Sequence, residues 1–310
     1  MRYLVLGASG FIGKNLVKQL HGSGDHTIRI FDRVIASEFS GDRVEIECVE
    51  GNFEDYSDFD SLTKNIDIVY HLISTTIPSS KISFEQEMAE NLFPTLNLLE
   101  ACRNNGVKKL VFVSSGGTVY GKSKGIPFKE EDVTDPISSY GVQKLTIENY
   151  IRLYHHLYNL DYKIIRLANP YGPGQNPHGN QGVLTKFIYN MVNDCPVDIF
   201  GAGDVVRDYI YIDDAVEGII ELSKDDSSEK LFNLGMGIGH SINEIVDVVE
   251  EVSNKKFQIN YKEARNIDVP YSVLDIERYL EVSPNKTFIT LDDGVKKTLD
   301  YFLDGGETEK

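Results

Sequence analysis

The sequence predicts an α/β fold, a doubly wound parallel sheet followed by a second, smaller mixed α/β domain. Three observations predict it. Short apolar runs alternate with helical periodicity through about residue 168, the pattern of repeated βαβ units. The first run, Tyr3 to Leu6, enters a loop with glycines at 7, 10 and 13, and Phe11-Ile12 opens a helical pattern. The second run, Thr27 to Phe31, ends in Asp32, 19 residues past Gly13. Gly7 permits a tight turn off the strand, Gly10 lets the backbone approach a pyrophosphate, and Gly13 lets the helix lie close on the sheet. The helix start then offers free N–H groups and a partial positive charge to phosphates. A carboxylate at Asp32 can accept hydrogen bonds from an adenosine ribose and repels a 2′-phosphate. The loop reads as a dinucleotide site that prefers NAD over NADP.

The length of 310 residues suits one or two domains with a substantial core. A formal net charge of −17 argues against nucleic acid or an anionic membrane as partner. It also requires that a pyrophosphate ligand find local positive charge. Cys48, Cys102 and Cys195 have no metal-ligand spacing and cannot all pair, so no metal site is expected and a reducing cytoplasm suits the chain. No signal core and no apolar stretch approaching the roughly 20 residues of a membrane span is present, so a cytoplasmic protein is expected.

In order, the strand candidates are 3–6, 27–31, 44–49, 68–72, 110–113 and 163–167, with helices near 11–21, 57–65, 84–105 and 139–159. Ligands on such sheets collect at the carboxyl ends of the strands. After strand three, Gly51-Asn52-Phe53 offers an amide and a ring that could flank an adenine or equally form a polar loop with one core Phe. After strand four comes His71-Leu72, where a lone histidine reads as structural. After strand five, Ser114-Ser115-Gly116-Gly117-Thr118 supplies small and hydroxylic residues that leave room for a ligand or make a tight turn.

Ser138-Ser139 is an N-cap signal for a long amphipathic helix whose first turn carries Tyr140 and Lys144. Positions i and i+4 share a face, so phenol and ammonium can enter one cleft. A nearby cation favours the phenolate, which gives a proton acceptor for oxidation of a secondary alcohol. Later, Asn169-Pro-Tyr-Gly-Pro-Gly is rich in turn residues, 174–182 reads as a loop and 183–194 as a helix. Arg207 to Ile212 reads as a strand with Asp213-Asp214 capping the next helix, and 231–234 as another strand. Ser241 and Glu244 form a capping box, helices near 275–281 and 290–303 follow, and 305–310 reads as a frayed tail.

Gly7-x-x-Gly10-x-x-Gly13, Asp32, Ser114-Ser115 and Tyr140-Gly-x-x-Lys144 resemble the extended short-chain dehydrogenase/reductase family, in particular its nucleotide-sugar epimerases and dehydratases. The resemblance continues through Arg166-Leu-Ala-Asn169-Pro-Tyr171-Gly-Pro, Gly201-x-Gly203-x-x-x-Arg207-Asp208 and Arg265-x-x-Asp268-Val, nearly the whole chain. It implies a Rossmann domain over 1–168, with a segment near 205–235 returning to it, and a nucleotide-sugar domain over 169–310. It further implies NAD contacts at Gly7, Gly10, Phe11, Ile12, Gly13, Asp32, Asn52, Phe53, Leu72, Ser114, Tyr140 and Lys144. The implied substrate contacts are Asn169, Arg207, Arg265, Asp268 and Ser272, with the two arginines taking the diphosphate by charge-assisted hydrogen bonds.

In the resembling dehydratases and decarboxylases an acidic residue stands at the position of Thr118, and dehydratases often have Asp at that of Gly117. Their absence points to C4 epimerisation of a nucleotide sugar, a UDP-hexose or UDP-N-acetylhexosamine. In the resembling enzymes C4 is oxidised, the 4-keto sugar rotates and hydride returns to its other face. Tyr140 then shuttles the proton and Lys144 orients it. Gly116 stands where the family places a hydroxyl, so Ser115 or Thr118, with Thr118 preferred, or a water is expected to substitute. A small Ser272 is expected to leave room for an N-acetyl group. The resemblance also implies a homodimer through helices 84–105 and 139–159, whose Leu96, Leu99, Ile151, Tyr154 and Tyr158 exceed what one sheet face needs. A 4-keto-sugar reductase and a non-catalytic NAD-binding protein remain the alternatives.

Overall fold

The computed structural model describes residues 1–24, 26–39, 46–76, 82–123, 125–179, 181–264 and 269–306. The first half runs β1 (Arg2–Leu6), α1 (Phe11–Gly22), β2 (Thr27–Asp32), β3 (Ile46–Glu50), α2 (Phe59–Thr63), β4 (Ile68–His71), α3 (Phe84–Glu87), α4 (Phe93–Asn104), β5 (Lys109–Ser115), α5 (Ser139–Tyr158) and β6 (Asp161–Leu167). There follow β7 (Asn169–Tyr171), α6 (Val183–Val192), β8 (Val197–Phe200), β9 (Val206–Tyr211), α7 (Ile212–Lys224), β10 (Leu231–Leu234) and β11 (Gly239–Ser241). The chain closes with α8 (Ile242–Ser253), β12 (Ile259–Lys262), β13 (Tyr271–Ser272), α9 (Glu277–Val282) and α10 (Leu291–Leu303).

The expected parallel sheet forms, with seven strands in the order β10-β6-β5-β4-β1-β2-β3. Parallel pairing sets Leu6 beside both Phe31 and His71, so the ends of β1, β2 and β4 align at one edge. Apart from the edge strand β3, whose residues are half-buried or exposed, the strands are nearly continuous apolar runs and are mostly buried. Leu4, Leu6, Phe31, Val69, Leu110, Phe112 and Ile164 pack with Leu98 and Leu99 of α4 and Ile147 and Ile151 of α5. Each such side chain contributes about 1.5–3 kcal/mol by leaving water.

Helix 84–105 is not continuous: a π-helical turn, Met88–Leu92, separates α3 from α4. Pro94 has no N–H for the carbonyl of Glu90, and the Asn91 side chain turns inward to donate to the Glu87 carbonyl (3.2 Å) and to Thr75 Oγ1 (2.7 Å). The turn-rich segment after β6 also holds a surprise, because Asn169–Tyr171 forms a short strand, β7, beside β9. Asp213 and Asp214 lie inside the first turn of α7 rather than capping it. They still favour that end by opposing its partial positive charge.

Contacts divide the chain into two compact units, each assembled from separate segments. The first holds 1–115, 138–166 and 216–232; the second holds 116–137, 167–215 and 233–310. In the second unit Tyr120 stacks on Phe128 with 4.6 Å between ring centres and donates to Asn233 Oδ1 at 2.6 Å. Phe128 also bridges to Leu274, which ties the 116–137 excursion to the later chain. Its sheet runs β11-β9-β13 with β7 on β9, and β8 pairs separately with β12.

Candidate active site

The first unit contains a cradle built by glycine. Gly7 takes a φ of +84°, which a side chain disfavours, and this turns the chain sharply off β1. A Cβ on Gly13 would fall 2.0 Å from the Gly7 carbonyl oxygen and 2.7 Å from Ala8 Cα, so only glycine lets α1 sit this close to the loop. Gly10 is the N-cap and offers no side chain, and no acidic residue occupies the first turn. The N–H groups of Phe11, Ile12 and Gly13 therefore begin the helix without an intrahelical acceptor. This arrangement fits a dinucleotide pyrophosphate.

Asp32, at the end of β2, fixes the loop from beside: its carboxylate accepts from Ser9 N (2.9 Å) and Arg33 N (2.8 Å). The Arg33 side chain is exposed. Leu72 donates its N–H to the Leu6 carbonyl at 3.1 Å, at the same edge of the sheet. Asn52 is half-buried and its amide donates to Glu54 Oε1 at 2.9 Å. Phe53 is only 3% exposed, its ring held edge-on to Phe59 and tilted against His71, so that ring belongs to the core.

Helix α5 begins where Ser138 accepts from Gly141 N at 3.2 Å, the expected cap. Tyr140, Lys144 and Glu148 then fall on one face. Lys144 is buried, donates to the Val113 carbonyl at 3.0 Å and sits 4.7 Å from the Phe112 ring centre and 5.8 Å from that of Tyr140. Ser115 and Ser74 lie near the Tyr140 hydroxyl, and both favour its phenolate. Burial pushes the Tyr140 phenol up to about 12, with both serines opposing, and pulls the Lys144 ammonium down to about 8, with Glu148 opposing. His71, one strand away, is kept neutral by burial and by Lys144 and pairs with Thr95 Oγ1 at 2.9 Å. Its other ring nitrogen, Nδ1, is buried without a hydrogen-bond partner among the described residues.

Ser114 does not present its hydroxyl to a ligand. It donates to Glu148 Oε1 at 2.6 Å, within a buried cluster where Glu148 also accepts from Arg166 (3.1 and 2.8 Å) and Arg152 (3.2 Å). One carboxylate thus anchors β5, β6 and α5 directly beneath Lys144.

In the second unit, Gly116 donates its N–H to the Leu167 carbonyl at 2.9 Å. Thr118 Oγ1 is shut off from solvent and has no hydrogen-bond partner among the described residues. Asn169 uses its amide on the Asp208 carbonyl (2.9 Å). Arg207 donates to the carbonyls of Val206 (2.9 Å) and Val269 (2.6 Å). Ser272 of β13 and His240 of β11 both lie in register with Arg207, forming one row across three strands, and Ser272 is buried. Arg265 and Asp268 lie outside the described residues.

The structure thus brings Ser115, Tyr140 and Lys144 together in the unit that carries the glycine cradle, and sets Arg207 beside Ser272 in the other. Three residues had no role in the sequence reading, although Asp208 stands in its Arg207-Asp208 motif. Ser74 was legible only as part of a Ser-Thr-Thr run after β4, where attention rested on His71-Leu72. Glu148 follows Lys144 by four residues on the same helical face, a spacing that could have found it. Asp208 is a buried carboxylate that accepts from the backbone of Met236 (2.8 Å), Gly237 (3.1 Å) and Leu274 (3.3 Å), and burial nevertheless pushes it up to about 6.

Residues 3–235 match the NAD dependent epimerase/dehydratase family. A dTDP-4-dehydro-6-deoxyglucose reductase of Escherichia coli is 35% identical over 236 residues, 76% of this chain and 74% of that protein. A UDP-glucose 4-epimerase of Mycolicibacterium smegmatis is 32% identical over 97% of this chain and 98% of its own length. The crystal structure of UDP-glucose 4-epimerase with UDP-glucose from Thermotoga maritima superposes with a TM-score of 0.90 at 31% identity, covering 99% of this chain and 100% of that one.

Proposed function

The chain belongs to the NAD dependent epimerase/dehydratase family, and from that premise we propose that it interconverts the C4 epimers of a UDP-sugar with NAD as cofactor. The observation that carries the reading is the Tyr140–Lys144 pair on α5, a buried ammonium beside a half-buried phenol with Ser115 near it, in the unit that holds the glycine cradle. Gly117 and Thr118 supply no carboxylate for the acid step of a dehydration, which leaves proton transfer at C4 as the chemistry these residues suit.

Gly7, Gly10 and Gly13 would hold the pyrophosphate of NAD, Asp32 the adenosine ribose and Lys144 the nicotinamide ribose. Bound NAD supplies the oxidant and the reductant for C4. Tyr140 Oη takes the proton of the C4 hydroxyl in the oxidising direction and returns it in the reducing direction. Lys144 stabilises the phenolate by its charge, and its own place is fixed by the Val113 carbonyl. Arg207 and Arg265 are assigned to the diphosphate, with Asn169, Asp268 and Ser272 beside the sugar and nucleotide. Thr118 is assigned a substrate oxygen, because a buried hydroxyl without a partner costs about 1–3 kcal/mol until one arrives.

The protein is assigned to the cytoplasm, which suits three free thiols. No helix among the described residues is long and apolar enough to cross a membrane. It is assigned a homodimeric state, on revised residues. Leu99 and Ile151 are buried in the core, and Leu96 and Tyr154 pack against it, so among the five expected contacts only Tyr158 is exposed. The other exposed apolar side chains on these helices are Phe84, Met88, Phe93, Val142, Tyr150, Leu153 and Leu157.

The Escherichia coli relative favours a second reading, a 4-keto-sugar reductase. Purified protein incubated with UDP-glucose, without added reductant, separates the two: an epimerase yields the C4 epimer and a reductase yields nothing.

A further inference from the structure

We infer that Glu50, at the end of β3, is a second determinant of cofactor choice beside Asp32. Its carboxylate holds the turn after β2 in place and adds a negative charge that turns a 2′-phosphate away. The inference rests on the assignment of the adenosine ribose to Asp32 and adds a specificity residue to it.

Register sets the two carboxylates side by side. Strands β2 and β3 run parallel with Asp32 opposite Glu50, and partners in register point to the same face. Phe31 and Val49, one residue earlier on each strand, lie with the apolar cluster, so Asp32 and Glu50 share the other face. The pairing holds to the strand ends, because Gly51 donates its N–H to the Asp32 carbonyl at 3.0 Å. Neighbouring strands are only about 4.8 Å apart, so a group that meets one carboxylate lies in the field of the other.

Side chains then fasten the turn that follows β2 from several sides. Asp32 accepts from Arg33 N at 2.8 Å, Glu50 Oε1 from Ile35 N at 3.1 Å, and Ser9 Oγ from Ala36 N at 2.9 Å. Ser9 belongs to the glycine loop, and its own N–H is the one that Asp32 holds at 2.9 Å. Further on, Glu38 pairs with Lys18 (2.9 Å) and Lys14 (3.7 Å) of α1. The turn is thus held between the glycine loop on one side and Glu50 on the other. A carboxylate has about four lone-pair sites, so Asp32 can bond Ser9 and Arg33 and still accept from ribose hydroxyls. A phosphate in place of the 2′-hydroxyl would bring a charge of about −1.5 to −2 against both carboxylates. Glu50 is exposed, so water and salt weaken its share of that repulsion. The Arg33 side chain, exposed on the same turn, pulls the other way.

The test uses the full chain and the variants Glu50→Gln and Glu50→Ala in equilibrium dialysis against mixtures of NAD and NADP. The bound share of each cofactor gives the ratio of the two affinities, and dialysis against NAD alone gives that affinity by itself. Glutamine keeps an oxygen for Ile35 N and loses the charge. Glu50→Gln is therefore expected to shift the ratio toward NADP about fivefold at low ionic strength, about 1 kcal/mol. The shift should fade at about 1 M salt, where charges are screened within about 3 Å. Glu50→Ala should shift the ratio as far and also weaken NAD binding, because Ile35 N loses its acceptor. A ratio that stays in place in Glu50→Gln at low salt, or a shift that salt does not reduce, overturns the charge assigned to Glu50. Undiminished NAD affinity in Glu50→Ala overturns its hold on the turn. If the unmodified protein binds NAD and NADP equally while Glu50→Gln still shifts the ratio, Glu50 stands and the assignment of Asp32 falls.

Discussion

At the scale of single residues, the account turns on the protonation of Tyr140 and Lys144. Tyr140→Phe removes the oxygen that carries the proton and should lower turnover about 10²–10⁴-fold with NAD still bound. Retained turnover would remove Tyr140 from the mechanism. Lys144 titrates near 8 because burial disfavours its charge. Turnover should therefore decline as pH rises through about 8, as the ammonium that supports the phenolate is lost. Stability should move the other way. Below pH 8 the folded chain bears the full cost of a buried charge, and from there to the ordinary lysine value of 10.5 the unfolded chain binds more protons, so unfolding becomes harder. A pH–rate profile beside a denaturant series checks both signs. Thr118→Val removes a hydroxyl that has no partner among the described residues, so it should not lower the melting temperature, yet it should cost about tenfold in turnover if that hydroxyl meets the substrate.

At the scale of elements, the glycine loop is the sharpest case. Gly13→Ala places a methyl 2.0 Å from the Gly7 carbonyl, so α1 must move off the loop. NAD affinity should fall at least tenfold, about 1.4 kcal/mol, in a calorimetric titration. NAD should also bind well ahead of NADP beside Asp32, and equal affinities would contradict that assignment. Here the sequence was highly legible, because one turn with one spacing is set by sterics within thirteen residues. The cap at Ser138 and the capping box of Ser241 and Glu244 were legible for the same reason, being local. The π turn at Met88–Leu92 was not. It depends on Pro94 together with an Asn91 side chain that finds Thr75, 16 residues away in the chain. Ser74 was hidden by the same kind of distance: nothing near it in sequence places it near Tyr140. The ring of Phe53 misled in the opposite sense, since alternation cannot tell a ring that flanks a ligand from one that fills the core.

At the scale of the whole molecule, the seven-stranded sheet followed from the repeated βαβ pattern, whereas the second unit did not follow as readily. Its short strands β7, β8, β11, β12 and β13 hold four residues or fewer and pair across long stretches of chain. Strands of that length carry too few residues for periodicity to declare them. The proposed dimer belongs to this scale too. Leu153→Glu and Leu157→Glu place charges on the exposed apolar face of α5, so the double variant should sediment as a monomer at micromolar concentration while the unmodified protein sediments as a dimer. The central claim is C4 epimerisation of a UDP-sugar, and product analysis tests it most directly. Purified protein with its NAD is incubated with UDP-glucose, UDP-N-acetylglucosamine or UDP-glucuronate, no reductant is added, and the sugar nucleotides are resolved at equilibrium. The account predicts a mixture of the substrate and its C4 epimer for at least one of the three, lost in Tyr140→Phe. Unchanged substrate in all three, with reduction of a 4-keto sugar nucleotide once NADH or NADPH is supplied, would contradict it.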